Sequence, residues 1–172
     1  QRFEAGPIYL VREALRRAMV EGTGRSAYTR VPQGLRLAGK TGTSNDLRDS
    51  WFAGFGEDLL AVVWMGRDDN GKTSLTGATG ALQLWAELMR TAAPASLANK
   101  RPESVVEVLV DPERGQRVSE PCAGVVSMAY IRGSEPPLGT YCGVPASPEP
   151  VAPKPSTEET KVKGWLRGWL NR

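Results

Sequence analysis

The sequence predicts an α+β fold in which an antiparallel sheet is flanked by helices, followed by a small β-rich module and a disordered Pro-rich tail. Three observations carry this expectation. Two segments with helical spacing bracket three consecutive segments with strand patterning, an order that suits a sheet covered by terminal helices. Short turns join the three strand-like segments, as antiparallel neighbours require. Beyond Pro94 the composition shifts, first to short β-prone runs containing two Cys, then to a stretch dominated by Pro, Glu, Ser and Lys. The expected organisation is residues 1–97 as the sheet-bearing part, 98–144 as the Cys-containing module, 145–160 as an extended linker and 161–172 as a basic amphipathic tail.

Each element has a local reason. In "PIYLVREALRRAMVE", residues 7–21, Ile8, Val11, Leu15, Ala18 and Met19 recur at helical spacing, with Pro7 in the first turn and Gly22 just past the end. This predicts an amphipathic helix with Arg12, Arg16 and Arg17 on a solvated face. "GTGRSAYTRVPQG" then reads as a loop leading into "LRLAGKTGT", where Leu35 and Leu37 alternate with Arg36 and Ala38 at the strand period. After the turn formers of "NDLRD", residues 50–55 and 59–66 are two more strands joined by "GED", a hairpin signal. A Gly- and Thr-rich loop follows, and "ALQLWAELMRTAA" places Leu82, Trp85, Leu88 and Met89 on one helical face. "ESVVEVLVDPERGQRV" reads as a strand and a turn. In the terminal "KVKGWLRGWLNR", Trp165, Leu166, Trp169 and Leu170 form an apolar stripe among Lys161, Lys163, Arg167 and Arg172. That stripe suits a short helix docking on a membrane or partner, while disorder or docking onto its own domain fits the same letters.

At 172 residues and 40% hydrophobic content the chain is long and apolar enough for a proper core. The net charge of +3, with acids and bases interleaved, gives no nucleic-acid footprint. The longest apolar run, "LLAVVWM", is far shorter than the roughly 20 residues a spanning helix needs, so no membrane span is expected within the chain. The opening Gln1, set directly before helix-like sequence, reads as the start of a fragment whose missing N-terminal part could carry an anchor. There is no His. That removes a Ser-His-Asp triad, most catalytic zinc sites and histidine acid-base chemistry, and no metal or cofactor is expected. Cys122 and Cys142 lie in a Pro- and Gly-rich stretch where a bridge would close one loop; a disulfide is preferred over two unrelated buried thiols and would imply an oxidising compartment such as the periplasm.

The stretch "GLRLAGKTGTSND", residues 34–46, admits two incompatible readings. Gly34, Gly39, Lys40 and Thr41 satisfy the phosphate-binding pattern G-x-x-x-x-G-K-[ST], whereas Lys40, Thr41 and Gly42 spell the K-T-G of serine-reactive penicillin-binding enzymes. A phosphate loop needs a buried strand before its first Gly and a helix starting at the Lys. Both flanks are wrong: "YTRVPQ" before Gly34 is polar and broken by Pro32, and "TGTSND" after Lys40 is a poor helix start. The nucleotide-binding reading remains a distant alternative. As a strand at a sheet edge, the same letters are coherent. Thr41 and Thr43 are β-branched residues with hydroxyls for a carboxylate, Lys40 supplies positive charge, and Gly42 removes a side chain where another backbone approaches. An extended peptide could then pair along the edge.

A longer run makes the motif specific. "GTGRSA", "AGKTGTSNDLRDSWFAGF", "VVWMGRDDN" and "TGATGALQLW" together resemble the C-terminal part of the transpeptidase domain of class A penicillin-binding proteins, over residues 7–93. The later region, with its Cys pair, Pro-rich linker and "GWLRGWL", resembles more loosely the tail of the 1b type from Gram-negative bacteria. The resemblance implies an enzyme that cross-links peptidoglycan: a Ser attacks the D-Ala-D-Ala bond of a stem peptide, forms an acyl-enzyme and passes the acyl group to an amine, and β-lactams acylate the same Ser. It also implies a periplasmic location at the inner membrane, a glycosyltransferase domain in full-length members and an outer-membrane lipoprotein activator.

Residue by residue, the resemblance gives Lys40 and Thr43 catalytic roles. Lys40 matches the K-T-G Lys, adding positive potential and aiding proton transfer. Thr41, Gly42 and Thr43 match the substrate-binding strand, with both hydroxyls on the terminal carboxylate and the Thr43 N–H as half of the oxyanion hole. Asp49, Trp51 and Phe52 read as packing and strand-closing residues, and residues 22–25 as a loop that supports the strand. The chain departs from the family in one severe respect: neither S-x-x-K nor S-x-N occurs in it, and Lys100 follows Ser96 by four positions rather than three. The nucleophile, its base and the other oxyanion donor are therefore expected in the remainder of the polypeptide, and the isolated chain is expected to be inactive. A contrasting expectation, from a different class, is a non-catalytic module that binds peptidoglycan or a regulatory lipoprotein activator through the region after Pro102 and the basic tail.

Overall fold

The computed structural model describes residues 3–139. The linker, the basic tail and Cys142 lie outside the described residues, and with Cys142 so does the expected Cys122–Cys142 bridge. Helix α1 (Ala5–Val20) precedes strands β1 (Ala38–Thr43), β2 (Ser50–Phe55) and β3 (Leu60–Met65), and helix α2 (Ala81–Ala92) follows them. Strands β4 (Val105–Asp111), β5 (Gln116–Val118) and β6 (Val126–Ile131) complete the elements of the described residues. The first sheet has the antiparallel order β1-β2-β3, in register Lys40 opposite Ala53 and Phe52 opposite Val63. The second has the order β5-β4-β6, also antiparallel.

The main core lies between the first sheet and α2. Phe52, on the β2 face that alternation turns toward the helix, and Trp85 of α2 are both fully buried, with ring centroids 4.7 Å apart and planes tilted by 56°. Met19, Leu37, Leu82 and Met89 close around them. The pair is so tight that a Cβ on Gly54 would stand 2.6 Å from the Trp85 ring, which is why β2 carries a glycine beneath it. Trp85 Nε1 donates to the Ala61 carbonyl at 3.2 Å, so even its polar atom is satisfied inside the core. Of the α2 stripe read from the sequence, Leu82, Trp85 and Met89 are buried, but Leu88 stays largely exposed.

Helix α1 is rotated from its expected orientation. Its buried positions are Gly6, Tyr9 and Met19, while Ile8 and Val11 are exposed. Arg12 and Arg16, expected in solvent, are half-buried: Arg16 Nε donates to Glu13 at 2.6 Å, and the Arg12 guanidinium lies 5.1 Å from the Tyr9 ring centroid. The second sheet closes on this side of the helix. A Cβ on Gly6 would stand 2.7 Å from Ile131 and 2.9 Å from the Ser104 hydroxyl, and Arg17 donates to the Ser127 carbonyl. Helix α1 thus packs against both β1 and β6, and Gly6 and Tyr9 lie on its covered side. The apolar stripe is real, and together with Phe3, Pro7 and Phe55 it lines an open groove.

Candidate functional site

Lys40, Thr41, Gly42 and Thr43 all fall on β1, and β1 is an outer strand with no strand beyond it among the described residues. This geometry is incompatible with a phosphate loop, where Lys40 would open a helix. The hairpin that follows fixes the direction of every amide. Ser44 N–H donates to the Asp49 carbonyl at 3.1 Å, which makes Ser44 and Asp49 a hydrogen-bonded pair. Such pairs alternate along an antiparallel ladder, so Gly42 with Trp51 and Lys40 with Ala53 also bond inward. Gly39, Thr41 and Thr43 then project their N–H and C=O groups away from β2, onto the free edge. Gly39 is buried, so Thr41 and Thr43 are the positions thereby presented to an incoming extended chain.

The side chains complete this edge. The exposed Lys40 ammonium donates to the Thr41 carbonyl at 3.0 Å and to Thr41 Oγ1 at 3.2 Å, so the cation lies directly over the outward-facing peptide group. Thr41 Oγ1 also lies 2.9 Å from Thr23 Oγ1 on the loop after α1. Thr43 Oγ1 accepts the Gly77 N–H at 2.9 Å from the loop before α2. A Cβ on Gly77 would stand 2.7 Å from both the Gly42 and Trp51 carbonyls, so that loop runs directly beneath the strand.

Ser50 locks the loop in place. Buried at the start of β2, it donates to the Thr76 carbonyl and accepts the Ala81 N–H, each at 2.8 Å. The strand is therefore held from two sides, by the residue 22–24 loop at Thr41 and by the residue 76–80 loop at Thr43. Asp49, Trp51 and Phe52 pack as read from the sequence in part only. Phe52 is core, but Trp51 is nearly half exposed, and Asp49 accepts from Trp64 Nε1 at 3.0 Å. The sequence reading did not single out Thr23, Gly77 or Ser50 for a role in the site. Residues 22–25 read from the sequence as a loop that supports the strand, without naming Thr23 as the contact, whereas nothing in "TGATGALQLW" says which strand Gly77 touches.

Chemically, the edge offers a cation, two hydroxyls and outward amides, a donor set that suits a carboxylate or a developing oxyanion. Among the described residues no group of three His, Cys, Asp or Glu side chains could hold a metal. The nearby acidic loop is already committed. Asp69 is held by Arg67 at 2.9 and 2.7 Å and by the Gly71 N–H, which lowers its carboxyl from the usual 3.8 to about 2.

No family model matches the chain. Individual proteins do. The chain is 42% identical over 97 residues to penicillin-binding protein 1B of Vibrio cholerae, covering 56% of this chain and 12% of that protein. It is 34% identical over 128 residues to penicillin-binding protein 1B of Escherichia coli, covering 74% of this chain and 15% of that protein. The crystal structure of penicillin-binding protein 1A from Haemophilus influenzae superposes with a TM-score of 0.68 at 28% identity, over 81% of this chain and 22% of that one. A three-stranded antiparallel sheet backed by a helix, with K-T-G on its outer strand, is thus part of a penicillin-binding transpeptidase fold. The chain is homologous to the class A penicillin-binding proteins 1B and 1A, and it spans less than a quarter of the length of each relative compared.

Proposed function

We propose that this chain forms one wall of the active site of a serine-type peptidoglycan DD-transpeptidase. The acylated Ser, its base in S-x-x-K, and S-x-N come from the remainder of the polypeptide. One observation carries the proposal: Lys40 to Thr43 lie on an outer strand whose alternate amides, two hydroxyls and one ammonium all address the space beyond it. A stem peptide ending in D-Ala-D-Ala would lie along that edge with its terminal carboxylate on Thr41 and Thr43. The Ser oxygen adds to the penultimate carbonyl, whose oxyanion takes a hydrogen bond from the Thr43 N–H, and collapse expels D-Ala with a proton on its nitrogen. An amine from a second stem peptide then displaces the Ser. Donors of this kind cost roughly 3 to 4 kcal/mol of transition-state stabilisation when one is removed. β-Lactams carry a carboxylate beside a reactive carbonyl and would occupy the same edge.

A peptidoglycan substrate supports a reading in which the site faces the periplasm at the inner membrane. The test uses the full-length polypeptide and a fluorescent penicillin. Wild type should be labelled, the isolated chain should stay dark, and Lys40→Ala should slow acylation about a hundredfold or more. Labelling of Lys40→Ala at the wild-type rate would overturn the assignment of this strand.

A further inference from the structure

We propose that Thr23 is a positioning residue of this site: its hydroxyl donates to Thr41 Oγ1 and so turns the Thr41 proton outward to the substrate. The proposal rests on the carboxylate-binding role given to Thr41 above. A threonine hydroxyl has one proton and two acceptor lone pairs. At Thr41 one lone pair takes the Lys40 ammonium at 3.2 Å, and Thr23 Oγ1 stands 2.9 Å away. A carboxylate only accepts, so when it is bound the Thr41 proton must point to it. The contact with Thr23 then survives in one polarity alone, with Thr23 donating and Thr41 accepting. Both acceptor positions of Thr41 are filled, and its single proton has one direction left. Thr43 reaches the same state by another route, since its oxygen accepts the Gly77 N–H and its proton is left for a ligand. With Thr23 as the donor, neither hydroxyl has to reorient away from an internal acceptor when an anion arrives.

The position of Thr23 is imposed by its neighbours. Gly24 N–H donates to the Ala18 carbonyl at 2.9 Å and Arg25 N–H to the Gly22 carbonyl at 3.2 Å, which ties the loop to the end of α1. A Cβ on Gly22 would stand 2.9 Å from the Ala18 carbonyl oxygen, and one on Gly24 would stand 2.6 Å from Met19 Sδ. Met19 is fully buried, and its Cα and the Ala18 carbonyl oxygen stand only 3.0 and 3.1 Å from the same point. The two glycines let the loop press onto the helix end, and Thr23 between them is carried to the K-T-G strand.

The test compares Thr23→Val, which keeps the shape and removes the hydroxyl, with Thr23→Ser, which restores it. Both are made in the full-length protein and acylated by a penicillin with its free carboxylate and by the methyl ester of the same penicillin. Thr23→Val should acylate about tenfold more slowly with the free acid, the effect of one hydrogen bond to a charged group, and within about twofold of wild type with the ester. Thr23→Ser should recover most of the free-acid rate. A Thr23→Val protein with the wild-type ratio of the two rates overturns the proposal. So does an equal loss on both ligands with a lowered melting midpoint, which marks Thr23 as structural. A wild-type protein indifferent to the carboxylate would instead remove the role of Thr41 itself, and this inference with it.

Discussion

Ser50 shows how much of a site can rest on one hydroxyl that touches no substrate. Its oxygen joins the Thr76 carbonyl to the Ala81 N–H and so caps the start of α2, where Gly80 offers no side chain of its own. Replacing it with Ala strands a buried donor and its partner carbonyl, an imbalance worth about 1 to 3 kcal/mol. Ser50→Ala should therefore lower the midpoint of urea unfolding with no change in the denaturant slope, and an unchanged midpoint would refute the capping role. The strand that carries K-T-G was legible in the sequence because its β-branched Thr residues and the turn formers after it mark a strand. Ser50, Thr23 and Gly77 were not, because their roles depend on contacts 31, 18 and 34 residues away along the chain. A hydroxyl or a glycine looks the same in a solvated loop and beneath the K-T-G strand.

At the scale of elements, periodicity identified both helices and all three strands of the first sheet, since helical and strand spacing follow directly from backbone geometry. It did not say which side of α1 would be covered. Ile8, Val11 and Leu15 form a sound amphipathic stripe, yet the second sheet settles on the opposite side, at Gly6 and Tyr9. A glycine inside a helix is normally a weakness, but here it admits Ile131 and Ser104 to the helix backbone. Gly6→Val should force that contact apart, at a cost typical of overpacking, about 1 to 3 kcal/mol. Hydrogen exchange provides the check: amides of β6 should lose protection, while those of β2, which the Phe52–Trp85 pair secures, should not. Equal loss in both sheets would mean that α1 holds the two together as one cooperative unit.

For the whole molecule, charge and its response to acid follow from the absence of histidine. With no His there is no imidazole to titrate between about pH 5 and 8, so stability should be nearly flat across that range. The groups that do respond are carboxylates whose folded values are depressed. Arg67 holds Asp69 at about 2, Arg90 lowers Glu87, and Arg114 lowers Asp111. A carboxylate with a lowered folded value binds protons more weakly in the folded chain than in the unfolded one. Its stabilisation is complete above the unfolded value and is lost as pH falls through the folded one. For Asp69 that window runs from the ordinary 3.8 down to about 2. Asp69 and Glu87 are open to solvent and Asp111 is half-buried beside Arg114, so the contributions of the first two are small and screened by salt. The melting midpoint should hold steady from about pH 8 to 5 and fall below about 4. Asp69→Asn should sit slightly below wild type at neutral pH and converge with it as pH approaches 2, and added salt should narrow the gap. A step in the midpoint near pH 6.5 would contradict this account, because no side chain among the described residues has an ordinary value there.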